Sequence, residues 1–91
     1  MSMRHMLVAG SLLDADRSAT KEFGWSRIGR HSWRNLVGEE VTYLLHDQSS
    51  ARGWAAGTKV YLGFGSKQHP CFAEIEAGLA SGRLIYGLPT Q

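Results

Sequence analysis

Apolar residues between positions 11 and 23 follow one another at spacings of three and four, the period of one face of a helix. Ser11 stands three residues before Asp14, a weakened form of the capping box that begins many helices. Gly24 follows at the position where a glycine commonly ends a helix. The pattern predicts a helix over 11–23.

A second helical stripe occurs in the last third of the chain. Phe72, Ile75 and Leu79 repeat at helical spacing. Pro70 suits the first turn of a helix, because its missing N–H would have no partner there, and Gly82 is a natural stop. These residues predict a helix over 70–81.

Four further segments have the composition and the alternation of β-strands. They are 4–10, 40–46, 58–64 and 83–88. Residues 25–38 contain two tryptophans and two glycines without a clean period, so they fit either a short strand or an irregular loop. The predicted order of elements is therefore β-α-(β)-β-β-α-β.

This order is that of a ferredoxin-like sandwich, and it predicts a small two-layer α+β fold. Its antiparallel or mixed sheet would have four or five strands, with both helices on one face. Because the predicted strands are apolar on both faces, the second face needs a cover. A second copy packed sheet to sheet in a homodimer is the simplest cover. The alternative is a monomer in which segment 25–38 folds over the sheet.

Composition indicates a single domain spanning 1–91, since 43% of the 91 residues are hydrophobic and 20% are charged. The net charge of +2 is too small to imply nucleic-acid binding by itself.

Cys71 is the only cysteine, so no intrachain disulfide can form, and we expect a reducing compartment, the cytoplasm. The apolar run 6–13 is much shorter than a membrane span, so we expect no membrane partner.

One carboxylate on the predicted second helix is a candidate for chemistry. Glu76 projects near Phe72 and Leu79, and His69 projects on the same side if the helix extends that far. A half-buried carboxylate near a histidine can act as a general base or bind a cationic group. The alternative is that Glu76 extends into solvent or pairs with a basic side chain.

Aromatic residues are more numerous than a small core needs, with three each of Phe, Trp and Tyr. They are typical contributors to ligand clefts and to interfaces. The predicted ligand-binding residues are Glu76, His69, Trp54, Tyr43 and Tyr61.

Arginine and tryptophan interleave within one short segment. Its members are Trp25, Arg27, Arg30, Trp33 and Arg34. Arginines neutralise phosphates and aromatic faces stack on bases, which fits a nucleic-acid surface, whereas the same residues also anchor protein partners. The alternative is that both tryptophans are core residues and the arginines form a solvated rim.

Two features near the second helix have a chemical and a structural interpretation. Residues 63–67 (GFGSK) could hold a phosphate or carboxylate, but their spacing differs from known phosphate loops, which favours a simple turn. Cys71 could be a reactive thiol, but a buried structural residue is favoured. The sequence contains no cluster of metal ligands and no cofactor motif, so we predict neither a metal nor a cofactor.

Three functional hypotheses follow. The first is a homo-oligomeric binding module for a small ligand or a protein partner, with an aromatic-rich cleft or interface. The second is a nucleic-acid-associated accessory protein that uses Arg27, Arg30 and Arg34. The third is a small enzyme with a site between subunits, in which Glu76 or His69 is the base; the sequence indicates no reaction class.

Overall fold

The computed structural model of the chain describes residues 4–45 and 51–90. The end of the predicted strand 40–46, at His46, lies outside these residues, as does the start of the loop that follows it. Within the described ranges, none of the helices combines the length and the apolar character needed to cross a membrane.

Within residues 4–45 and 51–90, six strands form one mixed sheet. They are β1 (His5–Val8), β2 (Ser26–Gly29), β3 (Ser32–Arg34), β4 (Glu40–Tyr43), β5 (Lys59–Leu62) and β6 (Ile85–Tyr86). Their order across the sheet is β2-β3-β4-β1-β5-β6. Strand β1 is parallel to both β4 and β5, and β5 is parallel to β6. The hairpin of β2 and β3 continues the sheet antiparallel beside β4.

The predicted first helix is confirmed and has two parts. Helix α1 spans Leu12–Arg17, and a π-helix continues it over Ser18–Glu22. The hydroxyl of Ser11 accepts the Asp14 N–H at 3.1 Å, as the capping pattern predicted. Gly24 has a φ of +75°, the left-handed conformation that glycine adopts freely after a helix.

The predicted second helix is also confirmed but begins later than expected. Helix α2 spans Phe72–Ser81, so Pro70 and Cys71 precede it. Gly82 ends it with a φ of +82°. Two short 3-10 helices, Ala51–Gly53 and Ser66–Gln68, lie in the connections.

The α+β class with a mixed sheet and two helices is confirmed, whereas the ferredoxin-like topology is wrong. Strands β4 and β5 are not neighbours, because β1 lies between them and runs parallel to both. Because β4 and β5 both run parallel to β1, they cannot form the hairpin that a ferredoxin-like order would place here. Segment 25–38, left open between strand and loop, supplies β2 and β3 and brings the sheet to six strands.

The two helices lie on opposite faces of the sheet, which corrects the expectation that they share one. Leu7 packs in a core cluster with Ala15 of α1, whereas Met6 and Val8 pack in a second cluster with Ile75 of α2. Successive residues of a strand point to opposite faces. The face of Leu7 is called the first face below, and the face of Met6 is called the second.

The apolar residues of the central strands β1, β4 and β5 are therefore largely buried by the chain itself, whereas Ile28 of β2 and Ile85 and Tyr86 of β6 are exposed at the edges of the sheet. On the first face α1 and Trp25 cover the strands. On the second face α2 and Trp54 cover them. This is the pattern of a parallel sheet enclosed between helices. The sheet-to-sheet argument for a homodimer loses its basis, and self-association stays a prediction.

Candidate functional site

The five predicted ligand-binding residues do not meet in one place. Tyr43 and His69 lie together, with ring centroids 6.4 Å apart. Tyr61 is buried on the first face, and Trp54 is buried on the second. Glu76 is exposed on α2.

The expectation that Glu76 is half-buried beside His69 is wrong. Helix α2 contacts the sheet through Ile75 and Gly78, where a methyl group on the glycine would lie 2.6 Å from Leu84 Cδ1. Because Ile75 and Gly78 face inward, the side chain of Glu76 points into solvent. The half-buried carboxylate of α2 is instead Glu74, whose Oε1 lies 3.1 Å from Arg52 Nε.

His69 is 3% exposed and joins two segments of the fold. Its Nε2 lies 2.9 Å from the Leu44 carbonyl oxygen, and its Nδ1 accepts the Cys71 N–H at 3.0 Å. Because a carbonyl only accepts, this pattern requires a neutral ring with its hydrogen on Nε2. His69 thus connects the end of β4 to the start of α2.

Tyr43 is also buried among core residues. Its hydroxyl donates to the Ala9 carbonyl at 3.4 Å. Burial raises the pKa of the Tyr43 hydroxyl, and the nearby Asp14 carboxylate raises it further. The Tyr43 and His69 rings meet edge-on, with an interplanar angle of 85°.

The glycine-containing turn 63–67 uses most of its backbone donors internally. The N–H of Gly63 bonds to the Val8 carbonyl at 2.8 Å, and that of Phe64 bonds to Ser18 Oγ at 2.8 Å. The N–H of Ser66 bonds back to the Gly63 carbonyl at 3.2 Å. A phosphate cradle needs free N–H groups, so the geometry agrees with the simple turn.

Cys71 is half-buried and packs against the apolar cluster of the second face. This position fits the interpretation of Cys71 as a structural residue. Among residues 4–45 and 51–90, no three His, Cys, Asp or Glu side chains are grouped so that they could hold a metal ion.

Both tryptophans of the Arg-Trp segment are core residues. Trp25 is 4% exposed and Trp33 is fully buried, with its Nε1 donating to Asp16 Oδ1 at 3.0 Å.

The arginines of the segment do not share one face. Arg27 pairs with Trp33 across the hairpin, and its Nη1 lies 3.5 Å from Asp16 Oδ2. Arg34 follows Trp33 and so points to the opposite face, while Arg30 lies in the turn between the strands. This split agrees with the solvated-rim alternative.

A different group of polar residues converges where three parallel strands begin. Glu39 immediately precedes β4, His5 begins β1 and Lys59 begins β5. Since β4, β1 and β5 are adjacent and parallel, their starts lie at one end of the sheet. His5 and Lys59 are paired in register, which brings them side by side.

The Asn35 side chain holds this group together with four hydrogen bonds, two that it accepts and two that it donates. Its Oδ1 accepts the N–H of Val37 at 3.2 Å and the N–H of Glu39 at 2.8 Å. Its Nδ2 donates to Glu39 Oε1 at 3.0 Å and to the Tyr61 hydroxyl oxygen at 3.2 Å. The two backbone donors fix the orientation of the amide, so Tyr61 is an acceptor in this bond.

Both oxygens of the Glu39 carboxylate are engaged. Oε1 accepts from Asn35, and Oε2 lies 3.2 Å from His5 Nε2. The hydrogen bond from Asn35 lowers the pKa of Glu39, against a smaller opposing effect of burial, and the charges of His5 and Lys59 lower it further. Glu39 is therefore a carboxylate at neutral pH.

Tyr61 is 2% exposed, and its ring is held from two sides. The Trp25 ring meets it edge-on with a centroid separation of 4.8 Å. Gly87 lies so close that a methyl group there would be 2.6 Å from two ring carbons. Burial raises the pKa of the Tyr61 hydroxyl, although the Asn35 hydrogen bond opposes the shift, so Tyr61 keeps its hydrogen at neutral pH.

A half-open cleft of about 370 Å³ adjoins this group. It is called the Tyr61 cleft below and is lined by Val37, Glu39, Lys59, Tyr61, Ile85, Tyr86 and Leu88. Four of its lining residues are among the eight large apolar side chains that the described part of the chain leaves exposed. The cleft therefore combines an apolar wall with a carboxylate, an ammonium and a phenol.

Sequence reasoning included Tyr61 but missed His5, Asn35, Glu39 and Lys59. These residues are scattered along the chain, and the parallel alignment of strand starts brings them together. The available signal was the position of Glu39 and Lys59 at or near predicted strand starts. It becomes informative only when those strands are known to be parallel neighbours of β1.

No known protein family matches this chain, and neither curated proteins nor solved structures include a match to it.

Replacing Gly87 by alanine is expected to displace the Tyr61 ring, because the added methyl group would overlap it. We expect the free energy of unfolding to fall by about 1–3 kcal/mol, the usual cost of overpacking. Urea denaturation measures the loss, and near-ultraviolet circular dichroism reports the aromatic packing.

Gly53→Ala is the matched control, since a methyl group at Gly53 would meet no atom within 4 Å. An unchanged denaturation midpoint in Gly87→Ala would contradict the close packing of Gly87 on Tyr61.

Proposed function

We propose that this chain is a binding module for a small ligand, which occupies the Tyr61 cleft. The observation that supports it is the concentration of exposed apolar side chains beside the Tyr61 hydroxyl. Tyr61 accepts a hydrogen bond from Asn35, but within the described ranges its own hydrogen finds no acceptor. A ligand that accepts this hydrogen and covers the apolar wall would satisfy both features.

The size and composition of the cleft support the same proposal. Ligand pockets have volumes of roughly 300–1,000 Å³ and combine an apolar lining with a few oriented polar groups. The Tyr61 cleft, at about 370 Å³, falls within this range. Asn35 and Gly87 hold the Tyr61 ring in place, so its hydroxyl is oriented before a ligand arrives.

A fragment screen monitored by ¹H–¹⁵N correlation spectra tests the proposal. Binding compounds should shift the amide signals of 35–39, 59–61 and 85–88. Tyr61→Phe should weaken the binding of a compound that accepts the hydroxyl hydrogen by about 3- to 10-fold, the value of one net hydrogen bond.

Tyr43→Phe is the control, because Tyr43 is a buried tyrosine that does not line the cleft and whose hydroxyl bonds to the Ala9 carbonyl. Compounds that shift only amides outside the three cleft segments, or a screen without binders, would refute the proposal.

We also propose, as a separate element of function, that the chain self-associates. The edge strand β6 carries the exposed Ile85 and Tyr86 and no charge, whereas the opposite edge, β2, carries Arg27 and an irregular register. Charges and bulges on an edge strand discourage pairing with another chain, so β6 is the more suitable surface. Light scattering with and without 0.5 M added salt tests this proposal: a salt-resistant dimer supports it, and the mass of one chain refutes it.

The cytoplasm is proposed as the location on the evidence of Cys71 alone. The chain has no second cysteine, so oxidation cannot cross-link it internally.

The two alternative functions have less geometric support than ligand binding. A nucleic-acid surface would need Arg27 and Arg34 on one face, but they lie on opposite faces and Arg27 is engaged by Asp16. An enzyme using Glu76 and His69 would need these residues together, but Glu76 is exposed and His69 is buried at the end of β4.

A further inference from the structure

We infer that the ligand of the Tyr61 cleft is a monocarboxylate with an apolar body. The inference rests on the proposed binding function and specifies the chemistry of the ligand. Some polar groups of the cleft are already engaged by the protein, and others remain available to a ligand.

The available polar groups are both hydrogen-bond donors. The Tyr61 hydroxyl has a hydrogen without an acceptor among the described residues. The Lys59 ammonium has no hydrogen-bond or ion-pair partner in the same part of the chain. Two donors, one of them positively charged, are suited to a ligand group that accepts hydrogen bonds and carries negative charge.

The acidic group of the cleft is, in contrast, already engaged. Glu39 is held by Asn35 through Oε1 and by His5 through Oε2. A cationic ligand drawn to Glu39 would have to compete with these bonds and would meet Lys59 in the same cleft. The positive charge of Lys59 is the one that lacks a direct partner, so an anion is favoured over a cation.

The number of donors limits the size of the anionic group. One ammonium and one hydroxyl can serve the two oxygens of a carboxylate. A phosphate carries three exposed oxygens and usually a second charge, and it is typically held by several backbone N–H groups or arginines. The cleft lining contains no arginine, so a carboxylate fits it better than a phosphate.

The remaining lining fixes the character of the ligand body. Val37, Ile85 and Leu88 are 63%, 42% and 49% exposed, so they offer apolar surface to a body that leaves water. Each buried methylene strengthens binding by roughly fourfold. Affinity should therefore rise along a series of linear carboxylates until the chain fills the cleft.

The inference is tested with octanoate as the probe, and with octanol and octylamine as neutral and cationic probes of equal length. Titrations of the full chain are followed through the amide signals of 35–39, 59–61 and 85–88. We expect octanoate to bind at least 10-fold more tightly than octanol, and butanoate to bind more weakly than octanoate.

Two variants identify the donors. Lys59→Met and Tyr61→Phe should each weaken octanoate binding by roughly 10- to 100-fold, the value of one hydrogen bond to a charged group, with the larger loss for the charged donor. Lys59→Met should weaken the binding of octanol less than that of octanoate, because methionine keeps an apolar side chain and octanol carries no charge. Lys67→Met, an exposed lysine of the 63–67 turn, is the matched control and should bind octanoate as the unaltered chain does.

The outcomes separate this inference from the proposed function. If octanol or octylamine binds the cleft as tightly as octanoate, the carboxylate assignment is wrong while the binding function stands. Equal losses in Lys59→Met and Lys67→Met would also overturn it, because they would indicate attraction by overall charge. If neither these probes nor the fragment screen shifts the cleft amides, both proposals are wrong.

Discussion

Replacing Trp33 by alanine is expected to remove a large part of the free energy of unfolding. Trp33 is fully buried in the first face, and its Nε1 donates to Asp16 Oδ1 at 3.0 Å. Truncating a buried tryptophan to alanine costs about 3–5 kcal/mol, and the total stability of a small domain is about 5–15 kcal/mol. Thermal and urea denaturation, followed by circular dichroism, measure the loss.

Two further variants make the Trp33 prediction sharp. Arg34→Ala changes the adjacent, exposed residue and should alter stability by no more than about 0.5 kcal/mol. Trp33→Phe keeps most of the buried volume but removes the donor to Asp16, so it should fold with a lower midpoint. A Trp33→Ala chain as stable as Arg34→Ala would show that the tryptophan is not a core residue.

The second large effect is expected from His69→Leu. The substitution keeps an apolar volume but removes both ring nitrogens from the contacts with the Leu44 carbonyl and the Cys71 N–H. A buried polar group left without a partner costs about 1–3 kcal/mol, and two such groups are affected. We therefore expect the free energy of unfolding to fall by several kcal/mol, measured by urea denaturation.

His31→Leu is the matched control for His69. His31 is half-buried in the turn between β2 and β3, and in the described part of the chain its ring has no hydrogen-bond partner. This control should remain close to the stability of the unaltered protein. If His69→Leu is as stable as His31→Leu, the connection between β4 and α2 does not depend on the imidazole of His69.

The local elements of this fold could be predicted from the sequence because their signals are local. Ser11 and Gly24 bound the first helix, and Gly82 ends the second, through backbone hydrogen bonding and conformational freedom that neighbouring residues determine. The strands 40–46 and 58–64 were likewise visible from alternation and β-branched content. The apolar character of both strand faces was likewise predictable, and in the fold α1 and α2 cover opposite faces of the central strands.

The position of α2 on the sheet was less predictable, for a reason visible at Gly78. An apolar stripe identifies the face of a helix by its large side chains, and Gly78 contributes none. Yet Gly78 is the place where the helix approaches Leu84 most closely. The buried face is therefore rotated toward Glu74 and away from Glu76, so Glu76 is exposed and Glu74 is half-buried.

The polar group at the Tyr61 cleft depends on contacts between distant parts of the chain. His5 and Glu39 are 3.2 Å apart in the fold, and Asn35 bonds to Tyr61 across 26 residues of sequence. No local pattern distinguishes such residues from ordinary polar positions near strand ends. They become a group only once the strands are aligned.

The sequence by itself determined the number of helices, most of the strands and the apolar character of both strand faces. These properties follow from spacing, capping and side-chain shape within a few residues. The tertiary structure alone decided that β4 and β5 flank β1 in parallel, that the helices lie on opposite faces, and that Glu39, His5 and Lys59 meet. The physical reason is that strand pairing joins segments through backbone hydrogen bonds that are the same for every residue type, so the choice of partner depends on the packing of the whole chain.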